Sequence, residues 1–138
     1  MTVLYKSKGI LRYSIGHTGH NLVVAICPDI SYLYRSLLPK AISIDLNLQK
    51  YKPHISVVRK EMPLNLNVWG KYHNHKVDFE YSNYIYNGEV YYWLNAFSTE
   101  LENIRLELGL PVSSQYTRPP GNYVKAFHIT IGNLKKVP

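Results

Sequence analysis

The chain has 138 residues, of which 46% are hydrophobic and 18% charged, and its formal net charge is +7. That length predicts a single domain, 1–138, with a core that needs no metal or disulfide. The single cysteine excludes an internal disulfide and favours a cytoplasmic location, and the absence of a signal-peptide core or a span-length apolar run predicts no membrane association. The basic charge and the 13 tyrosines favour a partner with phosphates and stackable bases, although solubility and strand propensity explain them equally well.

The first half of the chain predicts two strands, a helix and a third strand. Residues 9–16 alternate loosely, and 21–27 form a continuous apolar run typical of a buried strand. Pro28 suits the first turn of a helix, and Pro39 should end it. Two further segments have an extended pattern: 42–49, which could pack one face, and 54–58, which reads as a strand.

The second half predicts a hairpin, a helix and a last strand. Residues 76–97 are rich in strand formers, and the Asn-Gly pair at 87–88 is a strong turn signal. In the helix over 98–109, Thr99 and Glu102 fit a capping box and Gly109 marks the end. The proline-rich stretch 111–122 should be a loop, followed by a strand over 124–132. This order predicts an α+β domain of two similar lobes.

Each half ends on the same short pattern, His54-Ile55-Ser56-Val57 in the first and His128-Ile129-Thr130-Ile131 in the second. Strand side chains alternate between faces, so each histidine should share a face with its hydroxyl residue. The apolar residues between them should then point to the core. If the two strands meet, two imidazoles and two hydroxyl groups converge.

That set of groups fits phosphodiester cleavage without a metal. Two histidines can act as base and acid near neutral pH, and the hydroxyl groups can donate hydrogen bonds to a phosphate. A single His-x-Ser/Thr pattern is a weak signal, and two half-buried strands that merely carry histidine remain the alternative. The apolar alternation in both copies, and their place at the ends of matching halves, favour function.

Two such motifs about half a chain apart resemble those of the 2H phosphoesterase superfamily, and the likeness spans most of the chain. Within it, the chain is most similar to the phage anti-CBASS nucleases, on "KGILRYSIG", "GEVYYWLNAFSTELENIRLELGLP" and "KAFHITIGN". The resemblance implies two lobes with antiparallel sheets lining a central groove and helices outside. It also implies a metal-independent, cofactor-free enzyme that cleaves cyclic di- or trinucleotide immune signals in the host cytoplasm. The 2′-OH of the substrate would attack, His54 and His128 would divide the base and acid roles, and Ser56 and Thr130 would hold the phosphate.

Further residues are candidates for substrate binding. Tyr13 matches a family position expected to contact a base, and packing explains it equally well. Candidate stacking residues are Trp69, Tyr72 and Trp93. Trp93 lies in an apolar stretch and is better explained as core, and Trp69, beside Gly70 in a loop, is the better ligand candidate. Lys125 precedes His128 by three residues and could reach a phosphate, although a solvated lysine is the simpler interpretation.

Other residues argue against a metal site and against a reactive cysteine. His17 with His20, and His73 with His75, have ligand-like spacing, but no cysteine or acidic residue accompanies them, so we expect no metal. Cys27 lies in an apolar run and should be buried and inert.

Three functions stay open from the sequence. The first is a cyclic-oligonucleotide hydrolase. The second is a 2H phosphodiesterase that acts on RNA ends or 2′,3′-cyclic phosphates, and the third is a module that sequesters nucleotides without cleaving them. We expect a monomer or small homo-oligomer that does not bind duplex nucleic acid stably.

Overall fold

The computed structural model describes residues 3–16, 19–42, 46–47, 51–112 and 126–135. In this part of the chain, α+β structure appears in the expected order, with two helices and six strands. No helix there is long and apolar enough to span a bilayer. The elements are β1 (Leu4–Gly16), β2 (Gly19–Ala25), α1 (Pro28–Ile42), β3 (His54–Val58), a short 3-10 helix (Leu66–Val68), β4 (Lys76–Asn87), β5 (Tyr91–Phe97), α2 (Thr99–Glu107) and β6 (Phe127–Asn133).

The strands form one antiparallel sheet that closes on itself in the order β1–β2–β3–β6–β5–β4. The sequence led us to expect separate sheets on two lobes, and the described strands instead share one sheet. The two halves remain recognisable within it. Read outward from the central pair of β3 and β6, the first half contributes β3, β2 and β1, and the second contributes β6, β5 and β4.

The hairpin and the helix ends follow local chemistry, with two differences from the prediction. The Asn87-Gly88 turn is confirmed, because the Gly88 amide donates to the Tyr91 carbonyl at 3.0 Å. Helix α1 does not stop at Pro39 but continues to Ile42, so Pro39 lies inside its last turn. The cap of α2 is Ser98 rather than Thr99, because the Ser98 hydroxyl accepts from the Leu101 amide and donates to the Asp78 carbonyl of β4.

A single apolar core joins the sheet to both helices. The prediction that the apolar residues of both motifs face this core is confirmed, and they are fully buried with Leu101 of α2. Cys27, expected to be buried, is exposed beside the buried Ile26. The buried motif residues are Ile55, Val57, Ile129 and Ile131.

Each half anchors the other through an arginine and a β-bulge. In β3 the register skips Val57, and in β6 it skips Ile131; each lies three residues after its motif histidine. A bulge leaves backbone groups outside the ladder. Arg105 of α2 donates to the Val57 carbonyl at 2.7 Å, and Arg35 of α1 donates to the Ile131 carbonyl at 3.2 Å.

Candidate active site

The register of the central strand pair determines which motif residues meet. Ile55 of β3 lies opposite Ile129 of β6 in an antiparallel pair. Moving one residue along each strand in opposite directions places His54 opposite Thr130 and Ser56 opposite His128. All four side chains are half-buried, on the face opposite the core. Each histidine thus lies beside the hydroxyl residue of the other motif.

The two histidines occupy diagonal positions on this face. Diagonal neighbours in an antiparallel pair lie roughly 7–8 Å apart, and their Cβ atoms are somewhat closer. We call the side of the sheet that carries His54, Ser56, His128 and Thr130 the motif face. A phosphate placed between the strands would have an imidazole and a hydroxyl from each half within reach. The four motif residues are related by an approximate local two-fold axis that passes between Ile55 and Ile129.

The surroundings of the two imidazoles differ. His54 lies beside Ala25 of β2, and its Nδ1 is 2.8 Å from the carbonyl oxygen of Lys52. Because a carbonyl oxygen only accepts, Nδ1 of His54 carries a proton, and in the neutral ring the lone pair is on Nε2.

His128 instead packs against an aromatic side chain. Its ring stacks on Trp93 of β5 with centroids 4.8 Å apart and planes at 21°. Asn95 lies opposite His128 across the β5–β6 pair, and its Oδ1 accepts from Trp93 Nε1 at 3.3 Å. Trp93 and Asn95 are only 7% and 2% exposed, so His128 packs against a buried pair of side chains.

Asn95 is therefore a neighbour of the site that sequence reasoning missed, and Trp93 is a neighbour that it considered for stacking but assigned to the core. Trp93 is buried as expected for a core residue, but it lies on the motif face. The signal in the sequence was Asn95, a polar residue between Leu94 and Ala96 in an otherwise apolar strand.

The structure places three of the four candidate substrate-binding residues away from the motif face. Tyr13 pairs with Leu22, which lies on the core side of the sheet, and its ring is edge-on to Trp69 with centroids 4.9 Å apart. Burial raises the pKa of Tyr13, which keeps its hydroxyl protonated. Tyr72 donates to Glu107 of α2 at 2.7 Å. Lys125 lies outside the described residues.

The remaining histidines form no metal cluster within the described ranges. His17 is not among those residues. His20 is edge-on to Trp69, and His73 Nδ1 accepts from the Tyr13 amide at 3.1 Å. His75 packs against Tyr72.

Comparisons with protein families, with curated proteins and with solved structures find no significant match.

Proposed function

We propose that the protein is a metal-independent phosphodiesterase that cleaves 3′–5′ bonds of cyclic di- and oligonucleotides. The observation that carries the proposal is the register Ile55–Ile129, which brings His54, Ser56, His128 and Thr130 onto one face. On the basis of the resemblance described above, we propose a two-lobed 2H phosphoesterase-like fold. On the same basis, the substrates are immune signals of the bacterial CBASS defence, which the enzyme would disarm for a phage.

The different surroundings of the histidines support different roles. We assign the base to His54, because its Nδ1 proton is directed to the Lys52 carbonyl and its Nε2 can accept. We assign the acid to His128, because its ring lies against the face of Trp93, and the face of an aromatic ring attracts a cation.

The proposed reaction is an internal transesterification. His54 Nε2 takes the proton from the substrate's 2′-OH, and the 2′ oxygen forms a bond to the adjacent phosphorus. The bond from phosphorus to the 5′ oxygen breaks, and His128 gives that oxygen a proton. Ser56 and Thr130 donate hydrogen bonds to the non-bridging oxygens and so hold the phosphorus in line with the 2′ and 5′ oxygens. Positioning of this kind lowers the barrier. The products are a 2′,3′-cyclic phosphate and a free 5′-OH.

The test is incubation of the protein with 3′,3′-cyclic GMP–AMP in EDTA, followed by chromatography. The proposal predicts cleavage to a 2′,3′-cyclic phosphate product, while the 2′-deoxy analogue binds and survives. Rapid hydrolysis of the 2′-deoxy analogue would instead make water the nucleophile. An intact but bound ligand would contradict cleavage and favour sequestration. No effect on it, with turnover of a 2′,3′-cyclic mononucleotide, would favour an enzyme of RNA ends.

A further inference from the structure

Aromatic rings continue the motif face outward from His128 across the second half. Trp93 of β5 lies opposite Thr130 of β6, and Tyr86 of β4 lies opposite Trp93. Residues that face each other across a strand pair point to the same side of the sheet. Tyr86 is therefore on the motif face, two strands away from the histidine.

The rings form a continuous series. Trp93 and His128 stack at 4.8 Å, Tyr86 and Trp93 lie nearly parallel at 6.1 Å and 16°, and Tyr84 and Tyr86 contact at 4.6 Å. Burial falls along the series, from the buried Trp93 to Tyr84, which is 61% exposed. The outer rings thus present π surface to solvent on the same face as the proposed phosphate position.

A positive charge flanks the same region. Tyr91 lies two residues before Trp93 on β5 and shares its face. The Nζ atom of Lys135 lies 5.1 Å from the centroid of the Tyr91 ring. Exposed tyrosines beside a lysine suit a ligand that carries both bases and phosphates.

Core packing does not explain the outer rings, and the described β2 residues beside the first motif carry no similar series. The core positions of β4 are Val77 and Phe79, so the exposed Tyr84 does not serve the core. In the first half the corresponding neighbours of the motif face are Val23 and Ala25 of β2, which have no rings.

We propose that Tyr84 and Tyr86 form a stacking platform for a nucleobase of the nucleotide whose phosphate lies between the two motifs. This inference rests on the proposed function, since that function places the phosphate. The ligand class is a ribonucleotide with at least one base, cyclic or linear. Because every base has a π face, the platform gives affinity and orientation rather than strict base identity.

The test measures binding without turnover, so that it does not depend on cleavage. In a His54→Ala background, titration calorimetry with 3′,3′-cyclic GMP–AMP is compared for Tyr86→Leu, Tyr86→Phe and Tyr84→Leu. Tyr32→Leu is the matched control, because Tyr32 is an exposed tyrosine on α1. We expect Tyr86→Leu to raise Kd by about 5- to 150-fold, the range that alanine substitution gives for one stacked base. Tyr84→Leu should act in the same direction, and Tyr86→Phe and Tyr32→Leu should change Kd little.

The outcomes separate this inference from the proposed function. If Tyr86→Leu and Tyr32→Leu bind with equal affinity while the wild type cleaves the ligand, the platform is wrong and the function stands. If Tyr86→Leu weakens binding but the wild type cleaves nothing, the platform stands and the function is wrong. Melting temperatures of the variants show whether each is folded, and an unfolded Tyr86→Leu leaves Tyr84→Leu to decide.

Discussion

The two halves of the protein share a frame but differ in what surrounds the motif. Each half supplies a histidine, a hydroxyl residue and a bulge three residues after the histidine. His54 has small aliphatic neighbours and a carbonyl partner, whereas His128 has a buried indole against its ring. Two halves of similar structure can thus place two histidines in equivalent positions, while the different residues around each histidine suit it to a different role.

The anchors of the two bulges differ in the same way. Arg105 is fully buried, binds both oxygens of the Glu61 carboxylate and also donates to the Val57 and Pro111 carbonyls. Arg35 is half-buried, donates to the Ile131 carbonyl and lies over the Tyr32 ring. The bulge after Ser56 is therefore held more firmly than the bulge after Thr130.

Removing either histidine tests whether both halves are needed. His54→Ala and His128→Ala should each lower the single-turnover rate by about 10²–10⁴-fold, the usual contribution of one acid–base group. His75→Ala, which removes an exposed histidine away from the motif face, is the control and should retain the rate. Near wild-type turnover in either motif variant would rule out the two-histidine mechanism.

Removing each arginine tests the unequal anchoring. Arg105→Met should lower the free energy of unfolding by about 3–5 kcal/mol, because it leaves the Glu61 carboxylate without its buried partner. Arg35→Met should cost less, since it removes one hydrogen bond from a partly solvated site. Chemical denaturation measures both, and equal losses would contradict the difference between the halves.

Removing the hydroxyl groups tests how the phosphate is held. Ser56→Ala and Thr130→Val should each cost about 1.5–3 kcal/mol of transition-state stabilisation, as expected for a hydrogen bond to a charged group. Single-turnover rates measure this loss, and Ser36→Ala, at an exposed position of α1, is the control. Unfolding of Ser56→Ala would instead show that the hydroxyl is structural.

The smallest effect is expected at a surface cluster of the second half, where Lys71 and Tyr72 both contact Glu107. Hydrogen bonds from Lys71 and then Tyr72 lower the pKa of Glu107, and Glu107 in turn raises the pKa of Lys71. Glu107→Gln should therefore lower the melting temperature slightly at neutral pH. The difference should disappear as the pH falls below 4.5 through the lowered pKa of Glu107, because the wild-type carboxylate then becomes protonated. Glu89→Gln, at the exposed hairpin turn, is the control.

Local patterns in the sequence predicted the elements and the motif faces. Alternation around His54 and His128 sufficed, since strand side chains alternate whatever the partner strand. The predicted N-cap of α2 was wrong by one residue. The Ser98 hydroxyl donates to the Asp78 carbonyl of β4, and this contact between distant residues has no local sequence signal.

What the sequence could not supply is the pairing of distant strands. The register Ile55–Ile129 and the closure of the sheet join residues far apart in the chain, and no local pattern encodes them. The same holds for the aromatic candidates. Trp69 was a candidate because it lies beside Gly70 in a loop, and the structure shows its ring against Tyr13, while Tyr72 donates to Glu107.

The central claim is that two equivalent positions hold histidines with different roles, His54 as base and His128 as acid. The pH dependence of the two histidine variants tests it most directly. Wild-type single-turnover rates should give a bell-shaped profile, because one imidazole must be neutral and the other protonated. In His54→Ala the residual rate should no longer fall at low pH, and in His128→Ala it should no longer fall at high pH. The reverse assignment of the two limbs, or a bell that survives in either variant, would contradict the account.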